Sequence, residues 1–97
     1  MKGSHIVEDK ILAVARRVVW FKSPEDALSD PTYFLCYLMQ WGTSEDVVIA
    51  KTVFTETSFK DALTHAYPGI LDKKSWAYWN LVYFGDPDRP LPSRYLG

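Results

Sequence analysis

Polar segments that start helices interrupt this sequence at short intervals, and they constrain its fold more than any other feature. Ser23-Pro24-Glu25-Asp26 combines a capping hydroxyl, a proline at the first helical position and acids at the positive end of the helix dipole. Asp30-Pro31 repeats this arrangement, Thr43-Ser44-Glu45-Asp46 starts a helix in the same manner, and Asp72 can cap another. A chain interrupted in this way is expected to form a series of short helices.

Apolar residues recur with helical periodicity between these start signals. The pattern predicts helices over residues 6–21, 24–28, 32–40, 44–54, 58–67 and 75–84. Residues 32–40 are apolar on nearly every side, which predicts a central, buried helix. The clearest amphipathic pattern belongs to the fifth helix, in which four apolar residues occupy positions i, i+3, i+4 and i+7: Phe59, Ala62, Leu63 and Ala66.

Two segments, residues 18–21 and 47–50, are rich in β-branched or aromatic residues and could form strands by propensity alone. Each lies inside a longer helical pattern, and no two-residue hairpin turn such as Asn-Gly occurs. We therefore predict an all-α protein, a compact bundle of about five to six short helices with an extended, proline-containing C-terminal tail. The single helical domain spans residues 6–85 and the tail residues 86–97, while residues 1–5 are interpreted as an irregular leader, disordered or foreign to the domain.

Length and cysteine content limit the class of protein. A chain of 97 residues can bury one core without disulfide or metal support. Cys36 is the only cysteine, so no disulfide can form within the chain, which fits a reducing compartment. The apolar run at residues 33–39 is far shorter than the roughly 20 residues that a membrane helix needs. We expect a cytoplasmic protein with no membrane segment and no signal peptide.

Charge is distributed unevenly along the chain. Residues 1–22 carry a net charge of +3, residues 23–54 carry −4, and the remainder is balanced, which leaves −1 overall. Phosphate neutralisation supplies most of the non-specific affinity for duplex DNA, so a DNA-binding domain normally has a net basic charge. The composition argues against nucleic-acid binding by this chain alone.

The sequence contains no catalytic or cofactor motif. Glycine-rich phosphate loops, His-Glu-x-x-His, Cys-x-x-Cys and nucleophile elbows are all missing from it. His65 has no evident orienting partner, and Cys36 lies in an apolar run where burial would raise the pKa of the thiol and leave it inert. The paired acids at residues 25–26 and 45–46 lie on helix first turns, where they offset the dipole. We expect no catalytic, cofactor or metal site, and no enzyme.

The helices predicted around residues 44–54 and 58–67 could be read as a helix-turn-helix. Only Lys60, Thr64 and His65 of the second helix suit bases or phosphates, and Asp61 accompanies them. This composition is poor for a recognition helix, and a helix pair that packs a bundle core is the simpler interpretation.

The C-terminal region has the most unusual composition. Aromatic residues crowd the last helix, and a proline-rich segment with two arginines follows it. A proline-rich tail loses little entropy when it is fixed along a groove, either on its own domain or on another protein. The candidate partner-binding residues are Trp76, Trp79, Arg89, Leu91, Arg94 and Tyr95.

The stretch from Ala13 to Tyr95 resembles small bacterial proteins that are encoded beside nucleotidyltransferase-like toxins of the abortive-infection type. The strings that carry the resemblance are AVARRVVW (13–20), SPE (23–25), MQWGTSED (39–46), FKDAL (59–63), PGILD (68–72), SWAYW (75–79) and LPSRY (91–95). The family tends to end in paired basic residues and a phenylalanine, whereas this chain has Ser93-Arg94-Tyr95.

The resemblance implies a protein partner, a nucleotidyltransferase toxin, with this chain as the antitoxin. The aromatic content, fifteen residues in 97, also favours an interface with a partner or with a second copy in a homodimer. The alternative function is a helix-turn-helix-like DNA-binding regulator of its own operon, and an unrecognised enzyme ranks third.

Overall fold

The computed structural model describes residues 2–92, and the side chains from residue 9 onward. It contains α1 (Lys2–Val18), α2 (Pro24–Leu28), α3 (Pro31–Trp41), α4 (Ser44–Lys51), α5 (Glu56–Thr64) and α6 (Lys73–Phe84). No strand occurs among these residues, and the segments 18–21 and 47–50 are helix or turn. The all-α prediction is confirmed.

The predicted start signals act as helix caps. Ser23, Asp30, Thr43 and Asp72 each accept a hydrogen bond from the backbone N–H three residues further on. At α4 the arrangement is reciprocal, because the carboxylate of Asp46 accepts from the backbone N–H of Thr43 at 3.0 Å. Each bond satisfies a donor that the first helical turn leaves without a partner.

Helix α3 lies at the centre of the bundle and contacts each of the other five helices. Its residues Phe34, Leu35, Cys36 and Leu38 are fully buried, as its uniformly apolar sequence predicts. The neighbouring helices bury one face each against it. The buried residues of α1 and α5 are Ile11, Val14, Ala15, Val18, Phe59, Ala62 and Leu63.

Helix α1 differs from its predicted bounds at both ends. It begins at Lys2, so residues 2–5 are helical and the interpretation of an irregular leader is wrong for them. No proline separates these residues from the amphipathic stretch, and a single glycine only weakens a helix. The helix ends at Val18, and residues 19–22 form a turn in which the N–H of Lys22 donates to the carbonyl of Val19.

Helices α4 and α5 are also displaced from their predicted ends. Helix α4 stops at Lys51, because the N–H groups of Thr52 and Val53 donate to carbonyls three residues back. This tight turn brings the ring centroid of Phe54 to 5.7 Å from that of Phe34. Helix α5 starts two residues early, since Thr55 caps it, and it ends at Thr64. Phe54 thus reaches the core from a turn and not from a helix.

The segment after α6 lies back along that helix. Gly85, with φ 67°, ends α6 in the left-handed conformation that glycine adopts without strain. The indole N–H of Trp76 donates to the carbonyl of Arg89 at 2.6 Å, and the Arg89 guanidinium lies 3.9 Å from the centre of the Phe84 ring. Leu91 packs against the core. Residues 86–92 therefore cover their own domain.

Candidate protein-binding groove

The predicted anchors on α6 point into the protein. Trp76 and Trp79 are only 5% and 9% exposed. The indole N–H of Trp79 donates to the carbonyl of Met39 at 3.0 Å, so both tryptophans bond to the chain itself. Arg89 and Leu91 are half-buried in the segment that covers α6, and Arg94 and Tyr95 lie outside the described residues. A role for these six residues toward a partner stays a prediction.

An open groove with a volume of about 470 Å³ runs between α4 and α6. We call it the α4–α6 groove. Met39, at the end of α3, and Trp79 lie at its base, where their hydrogen bond joins α3 to α6. The walls come from one face of each flanking helix: Ser44, Val47 and Lys51 on α4, and Ser75, Tyr78 and Val82 on α6.

Exposed apolar side chains are concentrated around this groove. Tyr78 and Val82 line it, and their side chains are 57% and 49% exposed. Val48 and Leu81 are 64% and 52% exposed, and helical spacing from the lining residues places them along its two rims. Trp41, beside the lining residue Gly42, is 65% exposed. Large apolar residues left in solvent on one face are typical of a protein-binding surface.

The charged side chains that line the groove are both basic. Lys51 lies on the α4 wall and Lys74 near the start of α6, and both residues are exposed. The nearby acid Asp72 accepts hydrogen bonds from Gln40 Nε2 at 3.0 Å and from the Ser75 N–H at 2.8 Å, which lower its pKa. The groove lining therefore combines apolar walls with two positive side chains, and the ionised Asp72 caps α6 beside it.

A second surface, which we call the aromatic ridge, lies elsewhere on the fold. Consecutive ring centroids stand 5.0–5.8 Å apart along a row of five residues: Trp20, Phe21, Tyr37, Tyr33 and Tyr67. The hydroxyl of Tyr67 donates to Asp30 at 2.6 Å, which raises the pKa of Tyr67, and Lys22 lies over the Tyr33 ring. Because acidic and basic groups adjoin the ridge together, it has no single charge preference.

The residues weighed for catalysis occupy structural positions. Burial raises the pKa of the Cys36 thiol to about 11, in agreement with its predicted inertness. His65 is exposed and caps the end of α5, with Nδ1 3.1 Å from the Asp61 carbonyl oxygen.

Within the described part of the chain, no three His, Cys, Asp or Glu residues cluster as metal ligands would. Among the same residues, no helix is long and apolar enough to cross a bilayer.

Asp46 has a role that its sequence position did not suggest. It lies on the first turn of α4, as predicted, but it is 2% exposed, and it forms a two-pronged ion pair with Arg17 of α1 at 2.6 and 3.1 Å. Burial opposes ionisation of this carboxyl, yet the bonds from the Thr43 N–H and from Arg17 outweigh burial and lower its pKa. The pair joins two helices and fixes the α4 wall of the groove.

The helix pair considered as a helix-turn-helix consists of α4 and α5. Helix α5 directs its apolar face into the core against α3. On its outer side Lys60 pairs with Glu56 at 3.2 Å, one turn away, and exposed Asp61 adjoins it. Neither observation adds to the case for DNA binding, which stays a prediction.

The exposed apolar rim of the groove was not predicted from the sequence, although the pattern of apolar residues in α6 indicates it. With Trp76, Trp79 and Tyr83 on the inner side, helical geometry places Tyr78, Leu81 and Val82 on other sides. A helix that is apolar on more than one side either lies inside a core or has a second contact. For α6 the structure shows that the remaining apolar side chains are exposed.

No protein-family model matches the chain, and no curated protein or solved structure is significantly similar to it.

Proposed function

We propose that this chain is a protein-binding, antitoxin-like partner of a nucleotidyltransferase toxin and that it performs no chemistry of its own. The observation that carries the proposal is the collection of exposed apolar side chains around the α4–α6 groove. Exposed apolar surface costs free energy in water, and a protein partner that covers it recovers that free energy. The resemblance of residues 13–95 to toxin-associated proteins supplies the class of partner.

The anchor residues of the α4–α6 groove differ from the tryptophans that the sequence predicted as anchors. Tyr78 and Val82 are exposed on the α6 wall, while the buried Trp76 and Trp79 hold that wall in place. An interface of this kind depends on a few apolar or aromatic anchors at its centre. The lone cysteine is compatible with action in the reducing cytoplasm.

The proposal predicts that a nucleotidyltransferase is encoded beside this protein, and co-expression of the two tests it. The tagged chain is expected to co-elute with the enzyme and to relieve its toxicity. The double variant Tyr78→Ala/Val82→Ala should lose both effects while it keeps the wild-type circular dichroism spectrum. Trp20→Ala, which removes an even more exposed ring from the aromatic ridge, is the control and should behave as wild type. Separate elution of the wild-type proteins with undiminished toxicity would refute the proposal.

The DNA-binding alternative makes a different prediction. Electrostatic binding is strongest at low salt, so a regulator that used α4 and α5 would shift its own promoter fragment in a gel at about 0.05 M salt. The antitoxin proposal expects the isolated chain to leave that fragment unshifted.

A further inference from the structure

The α4–α6 groove has the form of a receptor for a helix. Two helices stand on either side of a base that the end of α3 provides. At about 1.5 Å per residue, α4 is about 12 Å long and α6 about 18 Å, which leaves room for two to three turns of a bound helix. Grooves between helices commonly bind an amphipathic helix through residues at i, i+3, i+4 and i+7.

The lining of the groove favours an apolar stripe on the bound element. Met39 and Trp79 form the base, and Val47, Tyr78 and Val82 contribute the walls. The Met39 side chain is flexible and can adapt to different apolar side chains, whereas the hydrogen bond of Trp79 keeps its ring in place. An extended proline-rich peptide would instead need several exposed rings in a row, whereas Tyr78 is exposed but the neighbouring Trp79 in the lining is only 9% exposed.

The charges in the groove lining indicate which residues should flank the apolar stripe of the bound helix. Lys51 and Lys74 are the charged side chains that line the groove, so carboxylates beside the apolar stripe of the ligand would meet opposite charges. Two neighbouring acids are engaged within the fold, since Asp46 pairs with Arg17 and Asp72 caps α6. Glu45 is not part of the lining. A basic helix would find no such partner in the groove lining.

Charge also argues against a second copy of the chain. In a two-fold dimer the same face would meet itself, so the Lys51 and Lys74 side chains of both copies would share one interface whose lining, in the described part of the chain, holds no acid to pair with them. Among the described helices of eight residues or more, the amphipathic faces of α1 and α5 are already buried in the core. We propose that the α4–α6 groove binds an acidic amphipathic helix of the partner protein, an inference that rests on the proposed function and specifies the contact.

A displayed library of helix-forming peptides about 18 residues long, selected on the full-length chain, tests this inference. Enriched sequences are expected to combine an apolar stripe at helical spacing with Asp or Glu on its flanks. The best binder, followed by fluorescence anisotropy, should lose about tenfold in affinity to Lys51→Glu/Lys74→Glu at about 0.01 M salt, and most of that loss should vanish at about 1 M.

Matched variants locate the peptide. Tyr78→Ala/Val82→Ala should weaken binding at both salt concentrations, whereas Trp20→Ala/Phe21→Ala on the aromatic ridge should leave it unchanged. Enrichment of basic or proline-rich peptides, no enrichment at all, or dimerisation of the chain through Tyr78 would overturn the inference. Co-elution with the toxin together with any of these results would leave the antitoxin proposal standing and remove only the acidic helix.

Discussion

Asp46 shows how one buried carboxylate can join two helices that are distant in sequence. Its oxygens accept hydrogen bonds from the two terminal guanidinium nitrogens of Arg17 and from the backbone N–H of Thr43, the residue that caps α4. Replacement by asparagine keeps the shape but removes the charge, so Arg17 loses its counter-ion. We expect Asp46→Asn to lower the free energy of unfolding by about 2 kcal/mol at pH 7, as measured by urea denaturation.

The pH dependence of that loss follows from the lowered pKa of Asp46. A carboxyl with a pKa lower in the folded than in the unfolded state stabilises the fold above the unfolded value of about 3.9. This contribution disappears as the pH falls through the lower, folded pKa. The difference between wild type and Asp46→Asn should therefore shrink below about pH 4. The exposed neighbour Glu45 supplies the control, since Glu45→Gln should change stability little at either pH.

Gly42 and Gly85 are both needed, but for different physical reasons. A Cβ on Gly42 would lie 2.6 Å from the Leu38 carbonyl oxygen, although its φ of −73° suits any residue. A Cβ on Gly85 would meet nothing within 4 Å, but its φ of 67° is left-handed. We expect Gly42→Ala and Gly85→Ala each to cost about 1–2 kcal/mol in urea unfolding.

Asparagine separates the two causes, because it tolerates the left-handed conformation but is larger than alanine. Gly85→Asn should recover most of the stability lost in Gly85→Ala, whereas Gly42→Asn should be no more stable than Gly42→Ala. Recovery at both positions would show that the close approach to Leu38 does not limit residue 42.

At the scale of elements, local chemistry explains what the sequence could predict. Caps act over three residues, so Ser23, Asp30 and Asp72 mark helix starts without knowledge of the fold. Helix ends depend on tertiary packing, and α4 stops at Lys51 where a tight turn brings Phe54 onto Phe34. The rims of the α4–α6 groove come from helices that are distant in sequence, so no local pattern could have joined them.

The segment that follows α6 is held in part by the hydrogen bond of Trp76, which a substitution can remove. Trp76→Phe replaces the indole with a smaller phenyl ring, so it deletes the N–H that donates to the Arg89 carbonyl together with part of a side chain that is only 5% exposed. We expect a loss of about 2–3 kcal/mol in the free energy of unfolding, because lost packing adds to the lost hydrogen bond. Faster amide hydrogen exchange should appear over residues 86–92, with α3 and α5 unaffected. Tyr78→Phe on the exposed side of the same helix is the control, and equal exchange in both variants would contradict a role for this bond.

For the whole molecule, the central position of α3 determines how the chain unfolds. Since α3 contacts every other helix, no pair of helices has a core of its own, and the loss of one removes a wall from the shared interior. Small domains with a single core usually unfold in one cooperative step. We expect one urea transition with a slope of about 1 kcal/mol/M, as is typical of a chain this short.

Two spectroscopic probes can test whether the chain unfolds in a single step. Trp20 and Trp41 are exposed, so the variant Trp20→Phe/Trp41→Phe retains tryptophan fluorescence only from the buried Trp76 and Trp79 on α6. Its fluorescence midpoint should coincide with the midpoint from far-UV circular dichroism, which follows all six helices. If the fluorescence changed at lower urea, α6 would separate before the other helices, and the α4–α6 groove would then be bounded on one side by a mobile wall instead of a rigid one.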